Sequence, residues 1–169
     1  EEEIKNNLNK YGEYLEDDIL SVHMIKIEDK YYCMDFSCEE FEKIVNLLGS
    51  IESVYNLYYE TLIKAINSDL GKYKPKRIGH LNLVRKYNKK FPYDYSNNKK
   101  LKELVKLISD RGYELDYNIA GLFKEDCGET YISGYLAELI KQYNIKLVLG
   151  SDSHSAKYID KYEEFNEHI

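Results

Sequence analysis

Apolar residues return every three or four positions along four stretches of the chain. In residues 97–110, Leu101, Leu104, Val105 and Ile108 share one face, and Gly112 stands where a left-handed cap closes a helix. In residues 130–143, Ile132, Tyr135, Leu136, Leu139, Ile140 and Tyr143 repeat the pattern, with Thr130 or Ser133 as the cap. The stripe Val54, Tyr58, Leu62 and Ile66 predicts a helix over 51–70, and Cys38–Leu48 reads as a shorter one.

Between these helices lie apolar runs too short for another: residues 18–22, 77–79, 113–117 and 145–149. The last is almost entirely apolar, which predicts a strand buried on both faces, as in a parallel sheet. Strands alternating with helices place the chain in the α/β class, either doubly wound or a barrel. No internal repeat or low-complexity linker divides it, so residues 1–169 read as one domain.

Composition narrows the picture. With 169 residues, 43% of them apolar, the chain can bury one core. Its net charge of −6 argues against a surface built as a whole for nucleic acid or anionic membrane. No apolar run reaches the ~20 residues of a membrane span, and Glu1, Glu2 and Glu3 are the reverse of a basic signal-peptide start. Cys33, Cys38 and Cys127 form no paired framework, which suits a reducing compartment. A cytoplasmic protein with no membrane partner is the expectation.

The strand ends carry the candidate chemistry. Val22 is followed by His23, Gly79 by His80 and Tyr117 by Asn118, while the run "LVLGSDSHS" ends in Asp152 and His154. In parallel βα folds the loops after the strand C-termini meet on one rim, so residues distant in sequence would come together there. Imidazoles with a carboxylate suit Zn, Mn or Fe. Alternate residues of extended backbone point to opposite sides, so Asp152 and His154 serve two neighbouring metals, or one if the chain turns. His168, beside Glu167 in a charged tail, reads as a surface residue.

The segment "KYKPKRIGHLNLVRKYNKK", residues 72–90, holds eight Lys or Arg and no acid. It is a solvated basic face, a phosphate site in which Arg85 binds in bidentate fashion, or, given Tyr73, Tyr87 and Phe91, a nucleic-acid surface. Asn118 and Lys124 follow the third strand on a glycine-containing loop, where they either line the rim or turn the chain.

The motifs "ILSVH", "GHLNLVRK", "YNIAGLFK", "GETYISG" and "LVLGSDSHS", in this order and spacing, resemble those of the PHP-type histidinol phosphatases over nearly the whole chain. The resemblance implies part of a distorted (β/α)7 TIM-like barrel with parallel strands, and a divalent metal cluster (Zn, Mn or Fe) at the strand C-termini. It implies hydrolysis of L-histidinol phosphate in histidine biosynthesis. Carried over by motif, His23 and His80 bind one metal, Asp152 a second and His154 a third, with Arg85, Asn118 and Lys124 toward the phosphorylated substrate.

The chain departs from the family pattern in several places. The initial H-x-H motif and a bridging glutamate have no counterpart, so the chain reads as the C-terminal two-thirds of such an enzyme, with an incomplete cluster and no C-terminal end. A sheet edge left open this way invites a second copy or the missing N-terminal part. Phe123 replaces an arginine expected in the phosphate loop, Asn82 an aspartate and Ile132 a proline. The alternatives are a related phosphoesterase acting on phosphotyrosine, nucleotides or nucleic-acid ends, and an inert binding module.

Overall fold

Residues 1–155 are described by the structure, a computed structural model. Helix α1 (Glu2–Tyr11) precedes an antiparallel hairpin of β1 (Met24–Ile27) and β2 (Lys30–Cys33). Then come α2 (Cys38–Leu48), α3 (Ile51–Asn67), β3 (Arg77–Ile78), α4 (Lys99–Asp110), β4 (Glu114–Asn118), α5 (Gly134–Gln142) and β5 (Leu147–Gly150). His168 lies outside the described residues.

The helices start where short polar side chains cap them. Ser37 Oγ accepts from Glu40 N at 3.2 Å, Ser50 Oγ from Ser53 N at 3.1 Å, and Asn98 Oδ1 from Leu101 N at 2.9 Å. Gly49, at φ 78°, ends α2 in the left-handed conformation that the next turn requires. Helix α3 stops at Asn67, three residues before the predicted end, where Ser68 turns extended. Lys74 Nζ then caps it by donating to the carbonyls of Ile66 and Ser68, each at 2.6 Å. Helix α5 begins only at Gly134, because the Thr130 hydroxyl donates to the Ile132 carbonyl at 2.6 Å in a turn of its own.

Strands β3, β4 and β5 form a parallel sheet in that spatial order. Leu115 pairs with Leu147 and Asn118 with Gly150, so β4 and β5 end level. The predicted first strand, residues 18–22, reaches the sheet through a single parallel bridge, Leu20 to Ile78. Among the described residues the sheet is open and closes no barrel. One expectation fails outright: β5 is half-buried along its length rather than buried on both faces, because β4 is its sole partner among the described residues.

The core lies between the sheet and the helix pair α3 and α4. Leu101, Leu104, Val105 and Ile108 are fully buried against a face of α3 that includes Tyr55, Tyr58, Tyr59 and Leu62. Buried tyrosines need partners for their hydroxyls. Tyr59 donates to Asn82 Oδ1 at 2.8 Å and Tyr58 to the Val22 carbonyl at 3.5 Å, which ties α3 to two strand ends. No described helix is long and apolar enough to cross a membrane.

Candidate functional site

The parallel bridge between Leu20 and Ile78 aligns the 18–22 segment with β3 and brings two distant histidines together. His23 follows the 18–22 segment, His80 follows β3, and their Nε2 atoms lie 3.2 Å apart with the rings edge to face. His80 is buried at 4% exposure, whereas the His23 side chain is 46% exposed, so the pair sits at the mouth of the rim. His80 takes a φ of 27°, a left-handed conformation uncommon for a residue with a side chain. Its Nδ1 is buried and has no hydrogen-bond partner among the described residues.

The two imidazoles are driven in opposite directions. The hydrogen bond to Asp35 raises the pKa of His23, whereas burial, together with the charge of His23, lowers that of His80. Asp152 acts on both rings in the raising direction. Burial pushes Asp35 upward, but its bond to His23, at 3.1 Å, and the nearby Lys86 outweigh that and hold it at about 2. Asp35 was not foreseen. The signal for it was two short runs rich in apolar and aromatic residues, "MIKI" and "KYYC", on either side of Glu28 and Asp29, which mark a hairpin returning the chain toward His23.

Asp152 and His154 meet each other rather than opposing sides of the rim. Asp152 has a φ of 54°, so the chain turns, and its Oδ1 lies 3.5 Å from His154 Nε2. Both line a pocket of about 320 Å³ with Ile119, Ala120, Phe123, Lys124 and Ser151, at the ends of β4 and β5. Lys124 thus lies on the rim. Asn118 serves the turn instead: its Nδ2 donates to Asp116 Oδ2 at 2.9 Å and its Oδ1 accepts from Ala120 N at 3.0 Å. Asp116, also unforeseen, is buried, and burial raises its pKa.

Arg85 is committed elsewhere. Its Nε donates to Glu129 Oε1 and its guanidinium stacks over the Tyr95 ring, 4.5 Å from the centroid. The rest of the basic segment is likewise engaged. Arg77 pairs with Asp17, Lys86 with Asp35 and Lys90 with Asp126. Lys74 and Lys89 donate to backbone carbonyls, while Lys72 and Lys76 lie over tyrosine rings. Each cation of the segment thus has a contact within the chain, and the acidic partners of Arg77, Arg85 and Lys86 lie far away in sequence.

Among the described residues no three His, Cys, Asp or Glu side chains are arranged to hold a metal ion. The donor chemistry nevertheless fits a borderline cation. Two nitrogens bound at about 2.0–2.1 Å at a tetrahedral angle lie roughly 3.3–3.4 Å apart. The 3.2 Å between His23 and His80 is close to that; Asp152, whose charge reaches both rings, forms a second pair with His154, whose side chain is exposed. These are two ligand pairs rather than a complete shell.

No protein-family model matches the chain. A histidinol-phosphatase of Bacillus subtilis (strain 168) is 42% identical over 172 residues, covering 99% of this chain and 63% of that protein. A crystal structure from Listeria monocytogenes, provisionally named a histidinol phosphatase, superposes with a TM-score of 0.89 at 35% identity, over 97% of this chain and 63% of that one. The chain is therefore similar, along nearly its whole length, to 63% of the length of two proteins that carry the name histidinol phosphatase.

Proposed function

We propose that this chain carries the strand-end part of a PHP-type histidinol phosphatase, a metal-dependent phosphomonoesterase acting on L-histidinol phosphate. The observation that carries the reading is the approach of His23 and His80 after the bridged 18–22 segment and β3, with Asp152, whose charge reaches both rings, lining a pocket with His154 and Lys124. The similarity to a named histidinol-phosphatase over 99% of the chain supports the substrate. On this reading the open sheet is part of a distorted (β/α)7 barrel.

His23 and His80 would hold one divalent cation, Zn, Mn or Fe, with Asp152 and His154 toward others. A cation there polarises a phosphoryl oxygen and makes a nucleophile available from water near neutral pH. Lys124 places a positive charge on the same pocket and would meet the phosphate. Ile119, Ala120 and Phe123 line it with apolar surface suited to an imidazole ring. Arg85 acts through the fold in this scheme, holding Glu129.

The test is phosphate release from L-histidinol phosphate by the chain loaded in turn with Zn²⁺, Mn²⁺ or Fe²⁺, with phosphotyrosine and a nucleoside monophosphate as competitors. Faster release from histidinol phosphate, lost by orders of magnitude in His80→Ala, is expected. Equal rates on all three substrates would overturn the substrate, and an undiminished rate in His80→Ala would overturn the site.

A further inference from the structure

The hairpin of β1 and β2 leaves from His23 and comes back to it. Met24 pairs with Cys33, and beyond that pair Met34 N donates to the His23 carbonyl at 2.8 Å. The next side chain, Asp35, is thereby set beside the imidazole, with Oδ1 3.1 Å from His23 Nδ1. An ionised carboxylate only accepts, so the ring nitrogen must be the donor. In the neutral ring this leaves the lone pair on Nε2, the atom that faces His80 Nε2.

Asp35 is itself held in place. Cys33 Sγ donates to Oδ1 at 3.3 Å, and Lys86 Nζ lies 3.8 Å from Oδ2. Its side chain is 21% exposed, so water competes for it only weakly. Cys33 comes from the hairpin and Lys86 from the turn at Leu83–Tyr87, so the carboxylate is gripped from two elements.

We infer that Asp35 is the positioning residue of the strand-end site: it keeps the proton of neutral His23 on Nδ1 and presents Nε2 beside that of His80, as one of two nitrogens prepared for a divalent cation. The cation rests on the reading above; the orientation of the ring does not. Outer carboxylates of this kind fix the tautomer and raise the basicity of a ligating histidine.

The experiment has two readouts on the full 169-residue chain. Imidazole ¹H–¹⁵N correlation spectra, recorded at a pH where the ring is neutral, report which His23 nitrogen carries the proton. Calorimetric titration with zinc chloride reports affinity. In the parent the proton sits on Nδ1; in Asp35→Ala it moves to Nε2, and Zn²⁺ binding weakens about 10–100-fold. Asp35→Asn, whose amide oxygen still accepts from Nδ1, restores most of both. Asp29→Ala, at the exposed hairpin tip, changes neither. Asp35→Leu, which keeps the side-chain shape and has no acceptor, replaces the alanine variant if that chain does not fold.

An Nδ1 proton retained in Asp35→Ala, or Zn²⁺ bound as tightly as by the parent, would overturn the inference. A tautomer that shifts as expected in a chain whose parent binds no Zn²⁺ would uphold the positioning role and overturn the metal reading.

Discussion

The Cα of Gly150 lies directly against the Asp116 carboxylate: a Cβ built on Gly150 would stand 1.7 Å from Asp116 Oδ1. The last residue of β5 and the middle of β4 are thus locked at a distance that only glycine allows. Asp116 cannot swing aside freely, because it is buried and Asn118 holds its other oxygen.

Gly150→Ala should therefore destabilise the chain by about 1–3 kcal/mol, the usual cost of overpacking a filled site. Chemical denaturation checks this through a lowered midpoint at unchanged slope. A neutral effect would mean that the β4 and β5 ends are looser than their register implies.

Arg85 offers a second test. Its bond to Glu129 and its stacking on Tyr95 predict that Arg85→Ala loses about 1.5–3 kcal/mol, typical for a hydrogen bond to a charged group. Arg85→Lys should recover little, because an ammonium neither stacks nor forks. If Arg85 instead contacted phosphate alone, the alanine variant would keep its denaturation midpoint and lose only substrate affinity.

Alkaline pH should unfold the chain through its tyrosines. Burial raises the pKa of Tyr55, Tyr58, Tyr59 and Tyr131, and lifts Tyr87 to about 12. Unfolded tyrosine titrates near 10, so above that pH the unfolded state binds fewer protons than the folded one and stability falls as pH rises. Their contribution is intact below about pH 10. Tyrosinate absorbance should rise in two phases: exposed rings first, then the buried set together with loss of the far-UV circular dichroism of the helices.

A cation bound by the folded state alone stabilises it by mass action, about 2.7 kcal/mol at a concentration 100 times the dissociation constant. Thermal melts with added Zn²⁺ should shift upward for the parent and much less for His23→Ala or His80→Ala. An equal shift in all three would place the binding elsewhere.

The helices could be read from the sequence because their stripes are strict: Leu101, Leu104, Val105 and Ile108 are all fully buried, and Ser133 stands at the cap of α5. The strand-end histidines were legible for a topological reason, since parallel strands deliver their C-terminal neighbours to one side. The hairpin was passed over because four-residue strands carry little periodicity, and with it went Asp35. Helix α1 was missed because Ile4, Leu8 and Tyr11 are the three apolar residues of an otherwise polar segment, and none of them is buried. Arg85 illustrates the limit of reading charge from composition, for its partner Glu129 lies 44 residues away and only the fold brings the two together.

His80 and Asp152 share the left-handed backbone noted above. Glycine would adopt that conformation at no steric cost, whereas a residue with a Cβ is held there by its surroundings. Along this rim, then, backbone comfort and side-chain chemistry pull in opposite directions. Asp152→Gly would relax the turn after β5 while removing its carboxylate, so a substitution that makes the chain easier to fold makes the site harder to build.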